Sequence, residues 1–241
     1  MSLASIQGVI ERRILANYRI DPAAVAKLLP APFRPQLANG WAIGGICLIR
    51  LGSMRPSWFP LAWGLRSENA AHRIAVEWDE DGAVRTGVYI PRRHTNSRWN
   101  VLAGGAAFPV VQRLAKFQVH ETADEVSVEV RCTADGTAIH VVGSITAELP
   151  AGSIFGDLQS ASAFFQRGSL GYSADRTGQR YYGIELACES WAVKPLQIHE
   201  MRSSFFQDQT IFPAGSVQAD CALLMQGIPH VWHNRGLFCC D

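Results

Sequence analysis

The chain has 241 residues, a formal net charge of +1 and 48% hydrophobic residues, values that fit a folded domain and exclude a disordered chain. The near-neutral charge gives no electrostatic reason to expect nucleic acid or an anionic membrane as a partner. No apolar run reaches the ~20 residues of a membrane span, and the N-terminus lacks the features of a secretory signal. We expect one cytoplasmic domain over residues 1–241, without a nucleic-acid or membrane partner.

The first part of the chain predicts a strand, a short helix and a second strand. Residues 11–20 are bulky or β-branched, which is typical of a strand. Asp21 is a favourable N-cap and Pro22 suits the first helical turn, so a short helix is expected to follow. The apolar segment 41–51 predicts a long strand, and its glycine pair indicates a bulge or a close backbone approach.

Two hairpins are expected further along the chain. Residues 71–90 alternate apolar and polar around Asp81-Gly82, and residues 125–149 do so around Asp135-Gly136, both of which are hairpin turn sequences. Residues 157–169 predict a helix, and further strand-like segments follow. With about ten strands in all, the pattern predicts an α+β, mostly β domain whose antiparallel sheet curls or closes, with a few short helices packed on it.

Glu68 and His72 are the first candidate catalytic residues, in the segment SENAAHRIAVEW. Glu68 is expected just before a strand, where a buried carboxyl could act as a general acid or base. His72 should share a strand face with apolar residues and titrate near neutrality. The alternative is a capping glutamate and a core histidine.

A basic group follows in the segment IPRRHTNSRWN. Pro91 is expected to end its strand and to leave Arg92, Arg93 and His94 in one loop. Paired arginines suit an anionic ligand such as a carboxylate, and His94 joins Glu68 as a catalytic candidate. The alternative is a solvated basic loop.

The chain contains three lysines, Lys27, Lys116 and Lys194, and Lys116 lies in the stretch GGAAFPVVQRLAKF. An amine that forms a Schiff base must be neutral, which requires burial or a second cation beside it. The alternative for Lys116 is a position near a strand edge with its ammonium group in water.

Other catalytic signatures are missing. The sequence has no P-loop, G-x-G-x-x-G, G-x-S-x-G or H-E-x-x-H motif. His230, His233, Cys239 and Cys240 match no zinc-binding spacing. We expect neither a metal nor a cofactor.

The order of these segments resembles the acetoacetate decarboxylase-like superfamily, and within it a large group of uncharacterised bacterial proteins. The resemblance runs from about Arg12 to Gln226 and includes Glu68, which best matches the superfamily's acidic site residue. It implies an antiparallel, cone-like β-barrel or curled sheet flanked by short helices. It also implies a homo-oligomer.

The resemblance also identifies a missing residue. In the decarboxylases a glycine-rich turn leads into Gly-Phe-Pro-Lys-Lys-Leu-Ala, where the second lysine forms the Schiff base and the first lowers its pKa. One alignment places Val110 and Val111 at the lysine positions, and the other places Gln112 and Arg113 there. Besides Arg92 and Arg93, the candidate ligand-binding residues are therefore Phe108, Pro109, Val110, Val111, Gln112 and Arg113.

These observations favour a domain that binds a small molecule, such as a carboxylate or oxo acid, without Schiff-base chemistry. One alternative is an enzyme of the lyase, hydratase or enolisation type that acts on a small oxo acid through Glu68 and nearby histidines and arginines. Another is a structural protein that builds an oligomer, with the aromatic loop from Trp58 to Trp63 buried between subunits.

Overall fold

One sheet of fifteen strands dominates the computed structural model, which describes residues 5–58, 64–101 and 110–238. The strands are β1 (Ser5–Ile20), β2 (Arg34–Pro35), β3 (Leu37–Ala38), β4 (Trp41–Pro56), β5 (Leu65–Glu80), β6 (Ala83–Thr95), β7 (Arg113–Leu114), β8 (Lys116–Glu121), β9 (Glu125–Cys132), β10 (Thr137–Ile145), β11 (Leu170–Ala174), β12 (Tyr181–Cys188), β13 (Lys194–Ser203), β14 (Val217–Met225) and β15 (Ile228–Phe238). Two helices lie wholly within the described residues, α1 (Pro22–Ala26) and α2 (Leu158–Gln166). The predicted mostly β, curled fold is confirmed.

Both helices begin where their capping residues predict. The side chain of Asp21 accepts a hydrogen bond from the backbone N–H of Ala23, and Pro22 is the first helical residue. Asp157 accepts from the N–H of Ser160 at 2.7 Å, which satisfies one of the free donors in the first turn of α2. No helix among the described residues is long and apolar enough to cross a membrane.

Seven strands pair in a series that returns to its start. The order β4, β5, β6, β11, β12, β15 and β1 is continuous, and β1 also pairs with β4. We call these seven strands the strand ring. The pairings within it are antiparallel apart from the short parallel contact between β6 and β11. The remaining long strands extend the sheet from β1 through β14 and β13 to β10, β9 and β8.

The hairpin turns form at the predicted places. Asp81 and Gly82 join β5 to β6 with φ angles of 52° and 74°, the left-handed values that a tight two-residue hairpin turn requires. Gly136 has a φ of 68° between β9 and β10. Local sequence therefore determines these two pairings.

Strand β6 does not end at Pro91, so that prediction is wrong. The strand continues to Thr95, and its ladder with β5 shifts register between His72 and Ile74. Proline cannot donate a ladder hydrogen bond, and a register shift of this kind leaves room for it. Arg92, Arg93 and His94 consequently lie in a strand, where successive side chains point to opposite faces.

The ring strands have two buried faces. The outer face carries a cluster that includes Ile14, Ile74 and Trp78, packed with Phe205 and Phe206. The inner face is lined by a second cluster, whose members are Ile10, Leu15, Ile43, Cys47, Ile49, Leu51, Ala75, Phe155, Ala161, Phe164, Phe165, Leu186, Cys221, Leu223, Met225 and Ile228. Helix α2 contributes Phe164 and Phe165 to this inner cluster.

The glycine pair of β4 marks a close backbone approach rather than a bulge. A Cβ on Gly45 would lie 2.7 Å from the backbone oxygen of Ala16 and 3.0 Å from Oδ1 of Asn17. Such distances are below normal van der Waals contact, so only glycine allows β1 and β4 to pair this closely here.

Candidate functional site

The inner face of the strand ring contains a cavity of about 240 Å³. All seven ring strands supply lining residues, and Phe164 and Phe165 of α2 form part of the wall. Most of the wall is aliphatic or aromatic, but several polar side chains are set into it. This combination is typical of a binding site for a small organic molecule.

Three arginines line this cavity from different strands: Arg13 on β1, Arg73 on β5 and Arg93 on β6. Among the described residues, none of the three forms an ion pair with a carboxylate. On the outer face, by contrast, Arg12 and Arg50 are paired with acids, as described below. The described part of the chain therefore gives the cavity positive charge without a counter-ion.

The contacts of Arg73 and Arg93 fix their positions but leave their charges uncompensated. Arg73 is 5% exposed; it donates to Oδ1 of Asn17, lies over the ring of Phe165 and has a buried Nε without a hydrogen-bond partner. The Nε of Arg93 donates to Ser173 at 2.8 Å. Burial lowers the pKa of Arg73 and that of Arg93 to about 10, so both remain charged at neutral pH.

A polar group lies near the start of the segment that resembles the decarboxylase lysine motif. Oδ1 of Asn69 faces the Nδ2 of Asn100 at 3.4 Å and the Nε2 of Gln112 at 3.5 Å. Val110 and Gln112 both line the cavity. In either alignment, one of the two residues at the lysine positions is thus in the cavity wall, and it offers a methyl group or an amide instead of an amine.

The three lysines are all exposed, and none lines the cavity. Lys116 begins β8, the last strand of the sheet, which agrees with the prediction of a lysine near a strand edge. The part of the chain that the structure describes therefore places no lysine amine in the cavity.

Glu68 lies within β5 rather than before it, and it belongs to a closed set of ion pairs on the outer face. Its carboxylate is 2.5 Å from Arg12 and 2.5 Å from Arg50. The same two arginines bind Glu121 at 2.7 Å and 2.6 Å. We call Arg12, Arg50, Glu68 and Glu121 the ion quartet. Both oxygens of Glu68 are occupied, and Glu68 does not line the cavity.

His72 is a core residue of the outer face. It is fully buried, its ring is 4.9 Å from that of Phe205, and its Nε2 is 2.9 Å from Oγ of Ser203. Burial lowers its pKa to about 3, with smaller effects from His94 and Arg92. The prediction that His72 titrates near neutrality is therefore wrong, because the apolar surroundings disfavour the charged form.

His94 is the candidate catalytic residue that reaches the cavity wall. Its side chain nevertheless faces the outer cluster, because the Nε2 is 3.0 Å from Asp135 and the ring is 6.2 Å from that of His72. Burial lowers its pKa, and the hydrogen bond to Asp135 acts in the opposite direction. The structure does not bring Glu68, His72 and His94 together on the cavity.

His94, Cys132 and Asp135 offer three ligand atoms within 4.8 Å of one another, a donor set that transition metals accept. However, the Nε of Arg113 lies 3.3 Å from the same Asp135 oxygen that faces His94. A guanidinium at that distance already neutralises the carboxylate and repels a cation, so the surroundings do not fit a metal.

The other predicted ligand-binding residues are dispersed. Arg92 is on the outer face, where it donates to Thr137 at 3.2 Å. Val111 is half-buried and does not line the cavity. Phe108 and Pro109 lie outside the described residues.

The aromatic loop is described only in part. Trp58 is 81% exposed, while Phe59 and Trp63 lie outside the described residues, as do Cys239 and Cys240.

The sequence interpretation missed Arg13, Arg73 and Cys47 as site residues. A signal existed for Arg73, because Ala71 and Ala75, two residues before and after it on β5, share its strand face. Small neighbours on the same strand face leave space beside a long side chain. Arg13 and Cys47 have no comparable local signal.

A second cavity, of about 270 Å³, adjoins the first and shares Arg13, Ser169 and Leu186 with it. Its other lining residues include Glu189 and Trp191. Because Glu189 is exposed, this second cavity offers a route from solvent toward Arg13.

The fold is similar to solved structures of acetoacetate decarboxylase-like proteins. Acetoacetate decarboxylase from Legionella pneumophila has a TM-score of 0.63 at 9% identity, over 99% of this chain and 90% of that chain. An acetoacetate decarboxylase-like enzyme from Sphingomonas wittichii RW1 has a TM-score of 0.60 at 12% identity, over 100% and 94%. The enduracididine biosynthesis enzyme MppR, complexed with pyruvate, has 0.62 at 9%, over 99% and 90%. These similarities confirm the predicted fold resemblance.

No curated protein matches the chain in sequence. A family model described as an uncharacterized conserved protein, DUF2071, matches residues 9–229, which is most of the chain. The chain therefore belongs to the DUF2071 family and has the acetoacetate decarboxylase-like fold.

Proposed function

We propose that this protein binds a small organic anion, a carboxylate such as a 2-oxo acid, in the cavity of the strand ring. The observation that carries the proposal is the presence of Arg13, Arg73 and Arg93 in the cavity wall without an acidic partner among the described residues. A buried charge is costly unless it is paired. A bound carboxylate supplies the missing partner, and the guanidinium group matches it in a two-point geometry.

The size and chemistry of the cavity support a short ligand. A volume of about 240 Å³ is below the ~300–1,000 Å³ that is typical of pockets for drug-sized ligands, which favours a smaller molecule. Apolar walls from β4 and α2 suit a short hydrocarbon body. The MppR structure of the same fold is complexed with pyruvate, a molecule of this class.

The proposal excludes covalent capture by a lysine. The three lysines of the chain are exposed and away from the cavity, so none has the burial that keeps an amine neutral. Glu68, the residue that best matches the acid of the decarboxylases, is engaged by Arg12 and Arg50. Binding without Schiff-base chemistry is consistent with both features.

Calorimetric titration with pyruvate and with 2-oxohexanoate tests this function, and methyl pyruvate provides the uncharged control. Arg93→Gln should weaken binding about tenfold or more, because a hydrogen bond to a charged group contributes roughly 1.5–3 kcal/mol. Arg92→Gln is the matched control on the outer face and should leave the affinity nearly unchanged. Equal affinity for pyruvate and methyl pyruvate would contradict the proposal, as would an unaltered affinity in the Arg93 variant.

Reduction with borohydride in the presence of pyruvate tests the exclusion of lysine chemistry. We expect no lysine to gain the mass of the reduced adduct, as measured by peptide mass spectrometry. A labelled Lys116 or Lys194 would show that an amine reaches the bound oxo acid and would refute this part of the proposal.

A further inference from the structure

We propose that Cys47 is the nucleophile of this cavity and captures anionic electrophiles, in particular 2-oxo acids, as reversible thiol adducts. The inference rests on the proposed function, because the arginines must first hold the anion. Cys47 lies on β4, is 8% exposed and lines the cavity. Among the described cysteines, Cys132, Cys188 and Cys221 do not line it.

The surroundings of Cys47 place its sulfur among the cavity arginines. The Nε of Arg13 points at Sγ of Cys47 at 3.4 Å. Arg73 and Arg93 line the same cavity as Cys47, and Arg73 pairs with Gly45, two residues before Cys47 on β4. The sulfur therefore shares the cavity wall with all three guanidinium groups. An anion held by them is held beside the thiol.

A second observation indicates a ligand at this position. Arg73 is 95% buried, since only 5% of it is exposed, and it lines the same cavity with an Nε that has no hydrogen-bond partner. A buried donor without a partner destabilises the folded protein. A carboxylate in the cavity would supply the counter-charge that Arg73 lacks among the described residues, and it would lie near Cys47 because β4 and β5 are paired.

The chemistry needs no additional reactant. A sulfur lone pair of Cys47 forms a C–S bond to the carbonyl carbon of the oxo acid, and the carbonyl π pair moves to its oxygen. That oxygen takes the proton that the thiol loses, which gives a neutral hemithioketal carbon beside the carboxylate. The reverse reaction releases the oxo acid. Proximity of the held carbonyl, rather than an unusual nucleophile, drives the addition.

The charge preference of alkylation tests the placement of Cys47. Iodoacetate and iodoacetamide both transfer their methylene carbon to sulfur with loss of iodide, but only iodoacetate is an anion. We expect the ratio of the iodoacetate rate to the iodoacetamide rate to be about tenfold higher for Cys47 than for glutathione in the same solution, because positive clefts concentrate anions. Peptide mass spectrometry assigns the site. Arg13→Gln should reduce this preference, and Arg92→Gln, on the outer face, should preserve it.

Carbon NMR with pyruvate labelled at its carbonyl carbon tests the adduct itself. We expect a resonance of a tetrahedral carbon that Cys47→Ser lacks, while calorimetry shows that the serine variant is folded and still binds pyruvate. If pyruvate binds but Cys47 has no preference for iodoacetate and no tetrahedral resonance forms, the inference is refuted and the proposed function stands. If pyruvate does not bind and the preference is also absent, both are refuted.

Discussion

Replacing Arg73 by methionine should change the stability of the ligand-free protein only modestly. Burial lowers the pKa of Arg73 from 12.5 to about 10, which corresponds to roughly 3 kcal/mol against the charged form in the folded state. Methionine removes this cost. It also removes the hydrogen bond to Asn17, worth about 1.5–3 kcal/mol, and the contact with Phe165, worth about 0.5–2 kcal/mol. The opposing effects leave a net change between a gain of about 1 kcal/mol and a loss of about 2 kcal/mol.

Arg12 is the matched control for this substitution. It is 2% exposed and also lies on a ring strand, but its guanidinium binds both Glu68 and Glu121. Arg12→Met leaves these two carboxylates with Arg50 alone, and breaking a buried pair typically costs about 3–5 kcal/mol. Urea-induced unfolding of both variants and the wild type measures the difference. A loss of 3 kcal/mol or more for Arg73→Met would refute the argument that Arg73 is retained for a ligand.

Three further outcomes are expected. Burial lowers the pKa of His72 to about 3 and that of His230 to about 4, so the unfolded state binds more protons than the folded state below pH ~6.5. The free energy of unfolding should therefore fall by about 2 kcal/mol per histidine between pH 7 and pH 5. An unfolding free energy that does not change over this range would contradict the lowered pKa values. Lys116→Ala should change stability by no more than about 0.5 kcal/mol and leave pyruvate affinity as it is, so a lost affinity in calorimetry would implicate the amine. Gly45→Ala places a Cβ 2.7 Å from the oxygen of Ala16 and should destabilise the fold by about 1–3 kcal/mol; an unchanged midpoint in urea would show that the strands can separate there.

The elements that sequence predicts well are those set by neighbouring residues. Asp21 and Asp157 cap their helices, and Asp81-Gly82 forms its turn. In each case the hydrogen bond or backbone conformation that forms the element involves only a few consecutive residues. The exposure of Lys116 could also be predicted, since an isolated lysine without a nearby partner favours water.

The candidate site could not be predicted in the same way, because it depends on contacts between distant strands. Arg13, Arg73 and Arg93 meet only because β1 pairs with both β4 and β15. The group proposed from IPRRHTNSRWN was misjudged for a related reason. Pro91 normally signals a strand end, but Ile90 and Pro91 of β6 together lie opposite the single residue Arg73 of β5, and this extra residue lets β6 continue. Arg92 and Arg93 then point to opposite faces.

The arginine doublets Arg12-Arg13 and Arg92-Arg93 have a consequence for how the strand register is specified. In each doublet, the first guanidinium makes its contacts on the outer face and the second residue lines the cavity. After a slip of β1 or β6 by one residue, each doublet would still place one guanidinium on each face, so the charge on a face does not discriminate the correct pairing from the displaced one. Discrimination must come from shape instead, from the hydrophobic side chains that the slip would turn to the wrong face and from the missing Cβ of Gly45 opposite Asn17.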